Sequence, residues 1–321
     1  MSYLSIIKAI LTHPITQGVI SLLCVRLLIQ HIAWEPIYAA LQEMQWPYFM
    51  VAFGVCFVLV IPHAIRWRLV LKRLGYFLAY PEAIRLLFLG YLFNQVLPTS
   101  FGGDVVRSAY LKSPEFSLTQ SVHSVLIDRV FALLALSTLY VAFYPGFSAQ
   151  LPPLFFWVML LLSTILLSFA LFWRFQTFWL KLLSCWPLLN PLTHLLQDFG
   201  VVLNRKDFLA LFGMSLAMHL TIGFAFYWLS VGLSIGLSLW ACLSLFPLIN
   251  LATLIPLSFA GWGVREGVIV FVLQFFAIPA HQAFSLSVLY GSVITLIALP
   301  GFYVWWFFAK NARKDLRSHQ I

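Results

Sequence analysis

The chain has 321 residues, 62% of them hydrophobic and only 9% charged, against about 25% charged in an ordinary soluble domain. So few charges cannot cover the surface of a soluble protein of this size, and the composition points to a membrane protein. Lys and Arg number 19 against 10 Asp and Glu; because the basic residues flank apolar runs, they report membrane orientation, and no nucleic-acid partner is expected.

Apolar runs cover residues 14–32, 46–65, 84–98, 121–144, 151–173, 208–230, 237–258, 266–279 and 283–308. A run of about 20 residues crosses the hydrocarbon core of a bilayer. The first run is interrupted by Arg26 and has no small-residue cleavage site, so it reads as an uncleaved first span. The run at 84–98 starts after Tyr80-Pro81 and ends at Pro98; that at 266–279 follows a glycine-rich turn and ends at Pro279. Both are short for a crossing and are expected to be half-helices or re-entrant elements, whose free backbone groups need cover from protein or a watery cavity. Between the runs, Phe175 to Leu203 mixes Trp179, Leu182, Leu183, Trp186 and Leu195 with Lys181 and Asp198, the pattern of amphipathic helix on a membrane face. The expected fold is an all-α polytopic bundle of about 6–8 full spans plus broken helices. It forms one transmembrane domain, with internal repeats at about 1–160 and 161–309, and a basic tail follows at 310–321.

Loop charges set the orientation. The stretch 66–85 holds Arg66, Arg68, Lys72, Arg73 and Arg85 against Glu82; 174–206 holds Arg174, Lys181, Arg205 and Lys206 against Asp198; and the tail holds Lys310, Arg313, Lys314 and Arg317 against Asp315. The loops between them carry acid or no charge, so these stretches and both termini are expected in the cytoplasm. Trp34, Trp46, Trp67, Trp157, Trp173, Trp305 and Trp306 read as an aromatic belt at the interfaces. Cys24, Cys56, Cys185 and Cys242 form no Cys-x-x-Cys pair, and the eight histidines show no metal-ligand spacing. The cysteines read as apolar fillers, His63, His123 and His219 as residues satisfied within the bundle, and no metal or other cofactor is expected.

Three constellations carry unusual chemistry. In the first, Asn94 precedes Pro98, and Gly102-Gly103-Asp104 is followed by Arg107. Pro98 and the glycines make a turn, and Asp104 fits an N-cap. Equally, a helix start beside Arg107 suits a phosphate. In the second, Pro256 leads to Gly261-Trp-Gly263-Val-Arg265-Glu266, with an adjacent Arg and Glu that must reach water, a partner or a ligand. Aligned on their prolines, the two share Pro, Ser, Phe, Gly, Val and Arg, the basis for an inverted repeat with paired broken helices. The third is Asp128-Arg129, inside an apolar run. Arg129 reads either as a snorkelling arginine neutralised by its neighbour or as the wall of a headgroup groove.

These residues, together with Arg66-Trp67, run in an order that resembles the transmembrane region of lysylphosphatidylglycerol synthases and related flippase-like membrane proteins. Thr99 stands where that family often has Gly, and Ala260 where a second Gly is usual. The resemblance implies a domain that moves a lipid between leaflets. Full-length synthases add a soluble aminoacyl-transfer domain, whereas this sequence stops about a dozen residues past its last span, so tRNA-dependent aminoacylation is not expected of it.

The function expected is therefore a lipid translocase in a bacterial or archaeal inner membrane, handling a phospholipid or a polyprenyl-linked lipid. Arg107, Arg265, Asp104, Glu266, Asp128, Arg129 and Asn94 would line a headgroup groove. A membrane-embedded transferase using Asp104, Asp128 or Glu266 as base or nucleophile is the alternative. A further one is an accessory subunit that holds a lipid-synthesis or cell-envelope enzyme at the membrane.

Overall fold

A computed structural model of the chain describes residues 34–97, 101–111, 116–172, 190–202, 205–253 and 262–306. The first apolar run, Pro98, Pro256, Gly261, the segment 173–189 and the basic tail lie outside the described residues.

Every regular element among the described residues is helical: α1 (Trp34–Gln42), α2 (Trp46–Val58), α3 (Val60–Arg73), α4 (Tyr80–Val96), α5 (Gly102–Leu111), α6 (Leu118–Phe143), α7 (Pro153–Phe172), α8 (Asn190–Val202), α9 (Arg205–Gly232), α10 (Leu239–Thr253), α11 (Val264–Leu273) and α12 (Ala280–Ala298). Among the described residues, four helices are long and apolar enough to cross a membrane: Trp46–Arg73 (α2 and α3 in succession), Leu118–Phe147, Lys206–Gly232 and Ala280–Trp306. Shorter apolar helices cover Pro153–Leu166 and Leu239–Leu251. The chain is a multi-pass α-helical membrane bundle.

Local chemistry explains the breaks. Pro62 has no N–H, and its ring crowds the carbonyl of Val58, so the long span bends at Leu59, where α2 gives way to α3. Pro300 does the same after α12, whose helix resumes and runs to Trp306. Helix α6 opens on a capping box: Gln120 N–H donates to Ser117 Oγ, while Ser117 N–H donates to the Gln120 side chain. The two expected short runs appear as α4, of 17 residues, and α11, of 10 residues followed by the single 3-10 turn Gln274–Phe276.

Leu154, Trp157, Val158, Leu161 and Ile165 of α7 are all more than half exposed. A continuous apolar face on a helix of this length is a lipid-facing surface. Trp46, Trp157, Trp305 and Trp306 are likewise exposed, as interfacial residues should be. Trp67 departs from that expectation. It is fully buried, and its indole N–H donates to Ser124 Oγ at 3.2 Å, so it belongs to the core that joins α3 to α6. The amphipathic segment expected at Phe175 to Leu203 is described only from Asn190, where α8 lays Phe199 and Val202 into a cluster with Val70, Ile127, Phe131 and Leu211.

Helices α4 and α5 cross at contact distance between backbones. A Cβ added at Gly103 would lie 1.8 Å from the carbonyl oxygen of Gly90, so only glycine admits this approach. The crossing is pinned by the Gly103 N–H, which donates to Asn94 Oδ1 at 2.8 Å.

Candidate headgroup site

The α4–α5 crossing sets Asp104 and Arg107 against α3 and α6, and here a cavity of about 330 Å³ opens. Helices α3, α6, α9 and α12, one from each of the four long described spans, contribute to its wall, together with α2, α4, α5 and α10. Its charged end holds Arg66, Arg107, Arg129, Asp104 and Asp128. Uncharged polar residues, among them Tyr91, Gln95, His219, Asn250 and Tyr290, share the lining with aliphatic residues such as Val293 and Ile297. A space of this size is at the lower end of ligand pockets, about 300–1,000 Å³.

Asp128 is the hub. Arg66 donates through Nε to Oδ1 at 2.8 Å and through Nη2 to Oδ2 at 3.0 Å, and through Nη1 to Ser215 Oγ at 2.8 Å. The imidazole of His63 lies between Asp128 Oδ2 at 3.2 Å and the hydroxyl of Tyr91 at 2.7 Å. Arg129 does not pair with its sequence neighbour. Successive residues on a helix point about 100° apart, and Arg129 instead donates through Nε to Asp104 Oδ2 at 2.7 Å. The reading of Asp128 as the neutraliser of a snorkelling Arg129 is thereby corrected. Asp104 also departs from the N-cap expectation: the helix already starts at Gly102, and the carboxylate sits in its first turn facing two arginines.

Arg107 is 3% exposed. Its guanidinium stacks on Trp67, 4.8 Å from the ring centroid. Nε lies 3.1 Å from Asp104 Oδ1 and Nη2 lies 3.7 Å from Asp128 Oδ2. Yet neither Nε nor Nη1 has a hydrogen-bond partner among the described residues. A buried guanidinium left in this state is costly unless something else accepts its protons.

The second constellation is built differently. Arg265 donates through Nε and Nη2 to Glu266 Oε1 at 3.0 and 2.6 Å and stacks over Trp262 at 4.5 Å. Glu266 also accepts the N–H of Gly263 and, at 3.3 Å, the hydroxyl of Ser287. Gly263 holds φ at +87°, a backbone region closed to most residues. The guanidinium rests on Gly291, where a Cβ would come within 2.2 Å of Nη2. Arg265 and Glu266 are 3% and 1% exposed, and neither lines the cavity. The structure therefore gathers Asn94, Asp104, Arg107, Asp128 and Arg129 around one space and leaves Arg265 and Glu266 behind its α12 wall, next to Tyr290. Of the turn residues, Gly102 and Gly103 begin α5 and Gly263 caps α11; Pro98, Pro256 and Gly261 lie outside the described residues.

Sequence reasoning placed Arg66 among loop charges, but it is a helical residue, 3% exposed, at the centre of the site. His63 and Arg66, three residues apart on one helix face, carried the signal, since neither has reason to share an apolar span without a partner. Removing Arg66 from the loop count still leaves Arg68, Lys72, Arg73 and Arg85 against Glu82. His63 and His123 are satisfied as expected, His123 by Asp198 at 2.6 Å. His219 is satisfied through one nitrogen: Nε2 faces the carbonyl of Ala132 at 3.1 Å, while Nδ1 has no partner.

The family model of the lysylphosphatidylglycerol synthase TM region matches residues 15–301. The chain belongs to that family. It is also 27% identical, over 71% of its own length and 98% of the relative's, to a UPF0104 membrane protein of Methanocaldococcus jannaschii. Membership in the lysylphosphatidylglycerol synthase TM family implies a lipid-related role in the membrane.

Proposed function

We propose that this protein is a lipid translocase whose cavity carries the phosphate-bearing headgroup of a phospholipid or polyprenyl-linked lipid between leaflets. The observation that carries this reading is Arg107: a buried arginine whose Nε and Nη1 lack hydrogen-bond partners among the described residues, in the lining of a cavity to which all four long described spans contribute. A headgroup crossing hydrocarbon loses its hydration. In this cavity the arginine N–H groups and the uncharged polar wall replace that water while the acyl chains stay in lipid. The basic segments at Arg68–Arg85 and beyond Lys310 favour a plasma-membrane orientation with both termini cytoplasmic.

The transferase alternative is less well supported. Asp104 and Asp128 each face arginines in ion pairs, and Glu266 accepts from Arg265, Gly263 and Ser287; none is placed as a free base.

The test is reconstitution in liposomes with fluorescent phospholipids, with accessibility of the label to a reductant measured over time. Wild-type protein is expected to accelerate exchange between leaflets, and Arg107→Gln to abolish the acceleration while retaining its thermal transition. Exchange equal to that of empty liposomes with every lipid class, or full activity in Arg107→Gln, overturns the reading.

A further inference from the structure

Helix α3 brings two side chains to Asp128 from one face: Arg66 and, three residues earlier, His63. Asp128 accepts two N–H groups from Arg66, and an ionised carboxylate can only accept. His63 Nε2, 3.2 Å from Asp128 Oδ2, therefore carries the proton of the neutral ring. That leaves Nδ1 with a lone pair, which accepts from the Tyr91 hydroxyl at 2.7 Å. In this state the single proton of that hydroxyl is committed to the ring. His63 and Tyr91 both line the cavity, and the His63 side chain is 16% exposed, so the ring can exchange protons with water.

We infer that His63 is a proton-binding site coupled to the headgroup, taking up a proton as a phosphate-bearing headgroup enters the cavity and releasing it when the headgroup leaves. The inference rests on the translocase reading above and deepens it by adding a proton as co-ligand of the same site. The proton comes from solvent and binds the Nδ1 lone pair; no other covalent bond forms or breaks. Nδ1 then donates and the Tyr91 oxygen accepts. The Tyr91 O–H must turn to a new acceptor, which a headgroup oxygen in the cavity supplies.

A shared carboxylate links the two events. Asp128 Oδ2 already faces Arg66 Nη2 at 3.0 Å and Arg107 Nη2 at 3.7 Å, so an imidazolium is a third cation on one oxygen. When Arg107 gives its N–H groups to a phosphate, the new negative charge offsets the guanidinium and leaves more of Asp128 to the ring. By reciprocity, the proton strengthens headgroup binding by the same factor. The remaining titratable and charged groups around the cavity are Cys56 from α2, Asp104 from α5, Arg129 from α6, His219 from α9 and Tyr290 from α12. Arg129 donates to Asp104, and Asp198 of α8 is taken by His123. His219 lacks the counter-ion that His63 has: Nε2 faces the Ala132 carbonyl, and Nδ1 has no partner among the described residues.

Calorimetric titration of the full chain in phosphatidylcholine nanodiscs tests the coupling, with short-chain phosphatidylglycerol and short-chain phosphatidylethanolamine as separate probes and empty nanodiscs as the blank. Repeating it in buffers of different ionisation enthalpy counts the protons taken up. Wild-type protein is expected to take up protons on binding and to bind at least about fivefold tighter at pH 6 than at pH 8, the lower end of usual couplings. His63→Gln offers Asp128 a donor and Tyr91 an acceptor without titrating, and is expected to abolish both effects. Tyr91→Phe is expected to weaken binding more at pH 6 than at pH 8, a split that a merely structural hydroxyl does not give. Saturable binding without proton uptake, or uptake that survives His63→Gln, overturns the coupling and leaves the translocase reading standing. Equal weakening of Tyr91→Phe at both pH values overturns the hydrogen-bond reversal. Absence of saturable binding of either lipid also overturns the inference; Arg107-dependent exchange in liposomes would then still uphold the translocase reading. The wild-type proton count decides the matter even where a variant fails to fold.

Discussion

Arg66 holds Asp128 by two parallel hydrogen bonds, at 2.8 and 3.0 Å, and so ties α3 to α6 across 62 residues of sequence. Both side chains are almost fully buried. Such a pair stabilises little relative to apolar residues of the same shape, but removing one partner strands the other charge. Asp128→Ala is therefore expected to lower stability by about 3–5 kcal/mol, because Arg66 and Arg107 would both lose their nearest shared carboxylate. The double variant Arg66→Met/Asp128→Leu is expected to recover part of that loss. Thermal unfolding in detergent checks it; strictly additive losses would count against the pairing.

Gly103 and Gly90 make a sharper steric prediction. Gly103→Ala sets a methyl group against a backbone carbonyl that cannot swing away, so α5 must shift and stability is expected to fall by about 1–3 kcal/mol or more. Gly267→Ala, with nothing within 4 Å of the added carbon, is expected to be neutral or slightly stabilising in the middle of α11, by about 0.5–1 kcal/mol. Parallel unfolding curves of the two variants separate a close helix crossing from a general intolerance of alanine.

The Arg265–Glu266 pair is expected to act on stability and leave lipid preference alone. Arg265→Met leaves Glu266 buried without its guanidinium and is expected to cost about 3–5 kcal/mol. Gly263→Ala, forced to a φ of +87°, is expected to cost about 1–3 kcal/mol. Folded protein recovered from either variant should keep the wild-type rate of lipid exchange in liposomes. A changed rate would return this pair to the site.

Cys56 and Leu59 both line the cavity. Cys56→Phe is expected to reduce headgroup space without altering charge, weakening lipid binding by about 1–3 kcal/mol, the usual scale of an overfilled site. Titration of the full chain in nanodiscs with a short-chain phospholipid reads it, and unchanged affinity would show that the headgroup does not use the space beside Cys56.

The membrane bundle was legible in composition and run length because hydrocarbon tolerates so few charges that the exceptions stand out. Asp104, Arg107, Asp128 and Arg129 were conspicuous for that reason, and the fold gathers them. What linear reading could not supply was pairing. Asp128-Arg129 looks self-neutralising on paper, yet helical geometry sends the two side chains to different partners, Arg66 and Asp104. Arg66 was hidden for another reason: it lies just inside a span that continues as helix to Arg73, so an apolar run ending near residue 65 made it look like the first residue of a basic loop. The likeness between the two glycine-containing motifs concealed a difference in outcome. In one the arginine lines a cavity and keeps N–H groups without hydrogen-bond partners among the described residues; in the other the arginine is consumed by its neighbouring glutamate.

The contact between Gly90 and Gly103 also limits how this scaffold can change what it recognises. Arg107 lies one turn beyond Gly103 on the same short helix, and at the Gly103–Gly90 contact that helix meets the α4 main chain with no side chain between them. The position of the cationic end is thus set by main chain. A different headgroup preference would have to be written into the uncharged lining, where Asn250, His219 and Tyr290 stand on longer helices and can be exchanged one at a time.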